Sequence, residues 1–142
     1  MAFVAVLVAV AAALSVTAWQ HRADARNLRA AASLAHRLPP PAGATTSTQC
    51  HGDGLTACWT APRTAPDAAQ ALAMSMRGLG ARPVVRCDRM KVGTGPATTT
   101  TDECSVIARF GSRAVAAFIG PNWQSTGSAG HIDGSLVSVA AA

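Results

Sequence analysis

The chain begins with one unbroken apolar run and then changes to shorter, periodic ones. Ala2 to Ala18 carries no charge and only two hydroxyls, Ser15 and Thr17, before Trp19 closes the run. As a helix, these seventeen residues would span roughly 26 Å, slightly less than the roughly 30 Å hydrocarbon core of a bilayer. Phe3, Val4, Val6, Leu7, Val8, Val10, Leu14 and Val16 supply the tendency to insert, and the alanines add little. Residues 1–19 are therefore expected to be a membrane anchor or signal segment. Val16-Thr17-Ala18 resembles a cleavage site, but the basic stretch that precedes a signal's apolar core is missing, which favours an uncleaved single-pass anchor.

Polarity then switches abruptly. Residues 20–38 have helix-forming composition, with Leu28, Ala31, Ala32, Leu34, Ala35 and Leu38 as the apolar positions and Arg22, Arg26, Arg29 and Arg37 among them. This predicts a juxtamembrane basic helix that extends the anchor or lies along the membrane surface. Pro39-Pro40-Pro41 stops it, and residues 39–49 read as a Pro/Thr-rich linker.

From Cys50 onward the periods are those of a folded unit. Leu55 to Thr60 alternates after an Asp53-Gly54 turn and predicts a strand. Thr64 and Asp67 stand in a capping relation ahead of a helix whose Leu72, Met76 and Leu79 share a face, with Gly78 and Gly80 as its stop. Val84 to Met90 predicts a second strand and Gly93 to Asp102 a loop. Glu103 to Ile119 predicts a hairpin about Gly111-Ser112. In that register Phe110 opposes Arg113, Ala108 opposes Val115, Val106 opposes Ala117 and Cys104 opposes Ile119, which gathers one apolar face. Gly120 to Gly134 reads as a long loop and Leu136 to Ala140 as a last strand. The expected fold class is α+β: residues 50–142 form a small disulfide-stapled domain, one helix packed on a mainly antiparallel sheet in the order β-α-β-β-β-β.

Charge refines the picture. The net +5 is concentrated in residues 20–38, where Arg22, Arg26 and Arg29 would meet anionic lipid headgroups. The chain has no Tyr and few other aromatics, which argues against a nucleic-acid surface of the interleaved basic and aromatic kind. Arginines after the span favour a cytoplasmic domain by the positive-inside rule, whereas four cysteines favour an oxidising compartment. The cysteines carry more weight, and the domain is placed outside the cytoplasm.

Cys50, Cys58, Cys87 and Cys104 form an even set without a Cys-x-x-Cys pair, so disulfides are preferred over zinc. The hairpin register turns Cys104 inward and the preceding loop returns the chain beside Cys87. The expected pairing is thus Cys87 with Cys104 and Cys50 with Cys58.

Candidate chemistry is sparse. His51-Gly52-Asp53-Gly54 and His131-Ile132-Asp133-Gly134 repeat a His-x-Asp-Gly pattern; His51, Asp53, His131 and Asp133 form a weak alternative metal set beside the plainer reading as paired turns. Glu103 is the sole glutamate and Lys91 the sole lysine, and neither lies in a recognisable glycosidase, phosphate-loop or Ser-x-x-Lys arrangement. No catalytic residue and no cofactor are assigned. Asn122, Trp123 and Gln124 are the best candidates for partner contact, an aromatic ring flanked by amides.

The plan of an apolar helix running into a disulfide-stapled α+β head is similar to that of pilin-like subunits. The acidic residue and basic leader found near the mature N-terminus of those proteins are absent, and no family is assigned. The expected function is non-enzymatic: a single-pass, membrane-tethered extracytoplasmic domain that binds the bilayer through residues 2–19 and an envelope protein through its head. The alternative is a secreted or tethered hydrolase or metal-dependent enzyme built on the two His-x-Asp-Gly segments.

Overall fold

The computed structural model describes residues 2–51, 54–92, 98–126 and 129–141, with the backbone alone for residues 2–14, 92, 124–126 and 129–131. Helix α1 (Ala2–Arg37) is followed by strands β1 (Thr45–Thr46) and β2 (Leu55–Ala61), helix α2 (Ala65–Gly78), and strands β3 (Pro83–Val92), β4 (Thr99–Phe110), β5 (Arg113–Thr126) and β6 (Ala129–Ala141). All six strands form one antiparallel sheet in the order β1-β2-β6-β5-β4-β3. The chain is a small α+β domain. Its one long jump, from β2 to the far edge at β3, is made by α2 across a face of the sheet.

Local chemistry sets the bounds of α2. Thr64 adopts extended backbone, and its hydroxyl accepts from the Asp67 amide and donates to the Asp67 carboxylate, satisfying an amide that the first turn would leave open. At the other end Ala81 N–H donates to the Met76 carbonyl and Gly80 N–H to the Arg77 carbonyl, both at 2.9 Å. This is the paired closure of a helix with a glycine, Gly80, just past its C-cap Leu79. The face between these caps buries Ala68, Ala69, Leu72, Ala73 and Met76.

Alternation decides what the sheet gives the helices. Val106, Ala108, Val115, Ala117, Ile119, Val137 and Val139 are enclosed, and four of α2's six buried positions are alanine; small residues on both sides let helix and sheet approach closely. The C-terminal part of α1 packs on the same face, with Ala31, Leu34, Ala35 and Leu38 buried. The core therefore takes in side chains upstream of Cys50, because α2 alone cannot span six strands. The helical residues 20–37 continue the same helix as the apolar run. Among the described residues no helix is long and apolar enough to cross a membrane; most of the apolar run belongs to residues 2–14, whose side chains lie outside that set.

The hairpin register between β4 and β5 is the expected one, including Cys104 opposite Ile119 and Phe110 opposite Arg113. Both expected disulfides are present, Cys50–Cys58 and Cys87–Cys104, the latter joining directly opposed residues of β3 and β4. The region 120–134 differs from expectation. β5 and β6 remain paired out to Thr126 opposite Ala129, with a register shift between Pro121 and Trp123. Backbone pairing carries this ribbon past the point where glycine, serine and asparagine erase the side-chain signal for a strand. Thr99 to Asp102 likewise belong to β4, as β-branched threonines suit.

Candidate interaction surface

Two regions contain the side chains that composition and spacing singled out, and the structure separates them. The first is the β5–β6 ribbon beyond the register shift. Asn122 occupies the irregular position, is buried, and donates its amide to the Asp133 carbonyl at 2.9 Å. A bulge leaves a backbone group unpaired; here the Asn122 side chain answers one, so this residue is a structural member of the ribbon. Trp123 faces solvent, 42% exposed, opposite Ile132. Gln124 pairs with His131 through the backbone, and the side chains of both lie outside the described residues.

The ribbon also forms one wall of a cleft of about 610 Å³ at the N-terminus of α2. Arg63, Asp67, Asp102 and Asp133 contribute its charged groups. Gly134 closes the cleft's base: its φ is +73°, and a Cβ there would lie 2.1 Å from the Ala61 carbonyl oxygen, so only glycine fits. Ser135 beside it is fully buried, and its hydroxyl has no hydrogen-bond partner among the described residues. Sequence patterning gave no hint of this inward serine, because it falls between the segment read as loop, ending at Gly134, and the strand expected from Leu136.

The His-x-Asp-Gly repeat does not gather in one place where it can be followed. His51 lines a shallow cleft with Glu103, Phe118 and Leu136, whereas Asp133 lines the separate cleft at α2. Asp53 lies outside the described residues, as does the His131 side chain. Among the described residues no three His, Cys, Asp or Glu groups are placed to hold a metal ion.

The second region is the point where α1 leaves the domain. Asp24 receives Ser112 Oγ at 2.7 Å and Arg113 Nε at 2.9 Å, and Arg113 Nη2 bonds its second oxygen. These donors favour the charged carboxylate and lower its pKa from an ordinary value near 4 to about 2, the Arg113 hydrogen bond first and the Ser112 hydrogen bond next. Gly111 allows the close approach, since a Cβ on it would press into the Asn27 amide at 2.4 Å. Upstream of this clamp the described helix is uncovered: residues 15–22 are all exposed, Trp19 to 65%. Arg22, Arg26 and Arg29 line one shallow groove with Trp19, the spacing that places them on one side of a helix. The hydrophobic-to-basic boundary was legible in sequence; the clamp, made by residues 88 and 89 positions apart, was not.

No protein family, curated protein or solved structure matches this chain at a significant level.

Proposed function

We propose that this protein is a single-pass, membrane-tethered extracytoplasmic domain whose role is non-enzymatic binding or assembly in the cell envelope. One observation carries the reading. A single helix is half core and half stalk: from Asp24 onward it is bonded and packed to the sheet, while residues 15–22 are exposed and lead from an apolar run. Apolar surface continued along a stalk from a folded head suits insertion in lipid, because a helix satisfies its own backbone groups there. Two disulfides and no free cysteine accord with an oxidising compartment outside the cytoplasm. The head would meet an envelope protein through Trp123 and the adjoining ribbon, and lipid headgroups would meet Arg22, Arg26 and Arg29.

The test is topological. Full-length protein is expected in the membrane fraction, resistant to salt and alkaline extraction, and digested by protease added to intact spheroplasts. A soluble species beginning at Trp19 would replace the anchor with a cleaved signal. Protection until the cells are lysed would put the head inside and overturn the placement.

A further inference from the structure

The end of the domain that faces the stalk is chemically unlike the opposite end. Asp24 fastens α1 to the β4–β5 turn, and Trp19 precedes it by five residues, a rise of about 7.5 Å. The polar layer on each side of a bilayer is about 5–8 Å deep. With Trp19 at the interface, the β4–β5 turn and its neighbours therefore stand at headgroup level. Arg109 lies in that end of β4. Arg82, one residue before the Pro83–Ala108 pair, lines the same cleft of about 380 Å³, with Val84 and Ile107 next to the two arginines and Arg86 further along.

Like charges placed side by side on a sheet are destabilising, and among the described residues neither guanidinium is paired with a carboxylate. Among the described residues the ion pairs are Arg89 with Asp102 and Arg113 with Asp24. Apart from Asp24, the described carboxylates lie further down the strands. Asp67, Asp102 and Asp133 line the cleft at the start of α2, and Asp88 opposes Glu103 towards the middle of β3. Arg22, Arg26 and Arg29 add cations along α1, with Arg26 Nε and Arg29 Nε donating to their own helix carbonyls at 3.4 and 3.3 Å. The described carboxylates other than Asp24 are thus kept away from the end where the stalk emerges, whereas the opposite end mixes them with Arg63, Arg89 and Lys91.

We propose that this end is a docking surface for anionic phospholipid headgroups. Arg82 and Arg109 of the sheet act together with Arg22, Arg26 and Arg29 of the helix to seat the head flush on the bilayer. This rests on the tether reading and adds to it: the anchor alone would leave the head free to tilt, whereas five arginines fix which end faces the lipid. Arginine suits the task because its fork meets phosphate oxygens in pairs. The apolar floor of Val84 and Ile107 can take the glycerol and upper acyl region beside them.

The full chain reconstituted in nanodiscs tests this, using phosphatidylcholine alone or mixed with phosphatidylglycerol, each with a trace of gadolinium-headgroup lipid. In the anionic discs the amides of Arg82, Val84 and residues 109–113 are expected to broaden several-fold more than in neutral discs. High salt, or Arg82→Gln with Arg109→Gln, should remove the difference while leaving the amides of α2 and β6 unchanged. A chain that inserts into both discs and broadens equally in each overturns the seating and leaves the tether standing. A chain that inserts into neither overturns both.

Discussion

On β5, Ile119 is wholly enclosed beneath the helices while its neighbour Phe118 stands 51% exposed on the opposite side of the same strand. The two faces of the sheet share strands, registers and composition class, yet one is closed and the other largely bare. The closed face is built of alanine, valine and isoleucine, whose size sets how near two helices can lie. The open face alternates serine and arginine with Ile107, Phe118 and Leu136, and accommodates mixture because nothing must interlock with it. Hydrophobicity alone therefore does not distinguish core from surface here, since Phe118 is larger and more apolar than the alanines that are buried.

The largest expected effect tests that contrast directly. Ile119→Ala should cost about 2–5 kcal/mol, while Phe118→Ala should fall within about 0.5 kcal/mol of the parent. Denaturant titration of the pair checks it; equal losses would mean that the open face is packed against something in the folded protein. Next comes the staple between the edge strand and its neighbour. Replacing Cys87 and Cys104 together by alanine removes a cross-link around sixteen intervening residues and should cost about 3 kcal/mol. Differential scanning calorimetry should then show a melting temperature more than about 10 °C lower, and peptide mapping that joins Cys50 or Cys58 to either residue would refute the pairing.

The smallest effect concerns the clamp that holds α1 over the closed face. Because the Asp24 pKa is lowered to about 2, its contribution is complete above about pH 4 and is lost as pH falls toward 2. The resonances of residues 111–113 should titrate with a midpoint near 2 in the parent protein, and Asp24→Asn should abolish that titration. A midpoint near 4 would show that the carboxylate is not held by Arg113 and Ser112.

The same contrast explains what could be read beforehand. The β4–β5 hairpin was legible residue by residue, since Cys104, Val106, Ala108, Val115, Ala117 and Ile119 alternate without a break and a slip of one would expose them all. The cap of α2 was legible because Thr64 and Asp67 act over three residues. The fate of Ala31, Leu34, Ala35 and Leu38 was not, for an apolar stripe looks the same whether its cover is lipid or protein. The ribbon from Gly120 to Gly134 was hidden for another reason: its pairing is carried by backbone, and Asn122 turns inward to mend an irregularity that no periodicity announces. As a site for partner contact, the trio Asn122, Trp123 and Gln124 therefore presents Trp123 as its one described outward side chain.

The order of strands has a temporal consequence. β2 is flanked by the two-residue β1 on one side and by β6 on the other, so its long partner is the last strand of the chain. As the polypeptide emerges N-terminus first, β3, β4 and β5 can zip together in sequence, each beside the one before. β2 must wait until β6, Ala129–Ala141, arrives. Contacts between such distant segments slow folding, and during that interval Trp59 lacks its neighbour Val137 on β6. Loss of β6 would thus strand β2, which makes β6 the latch of the fold.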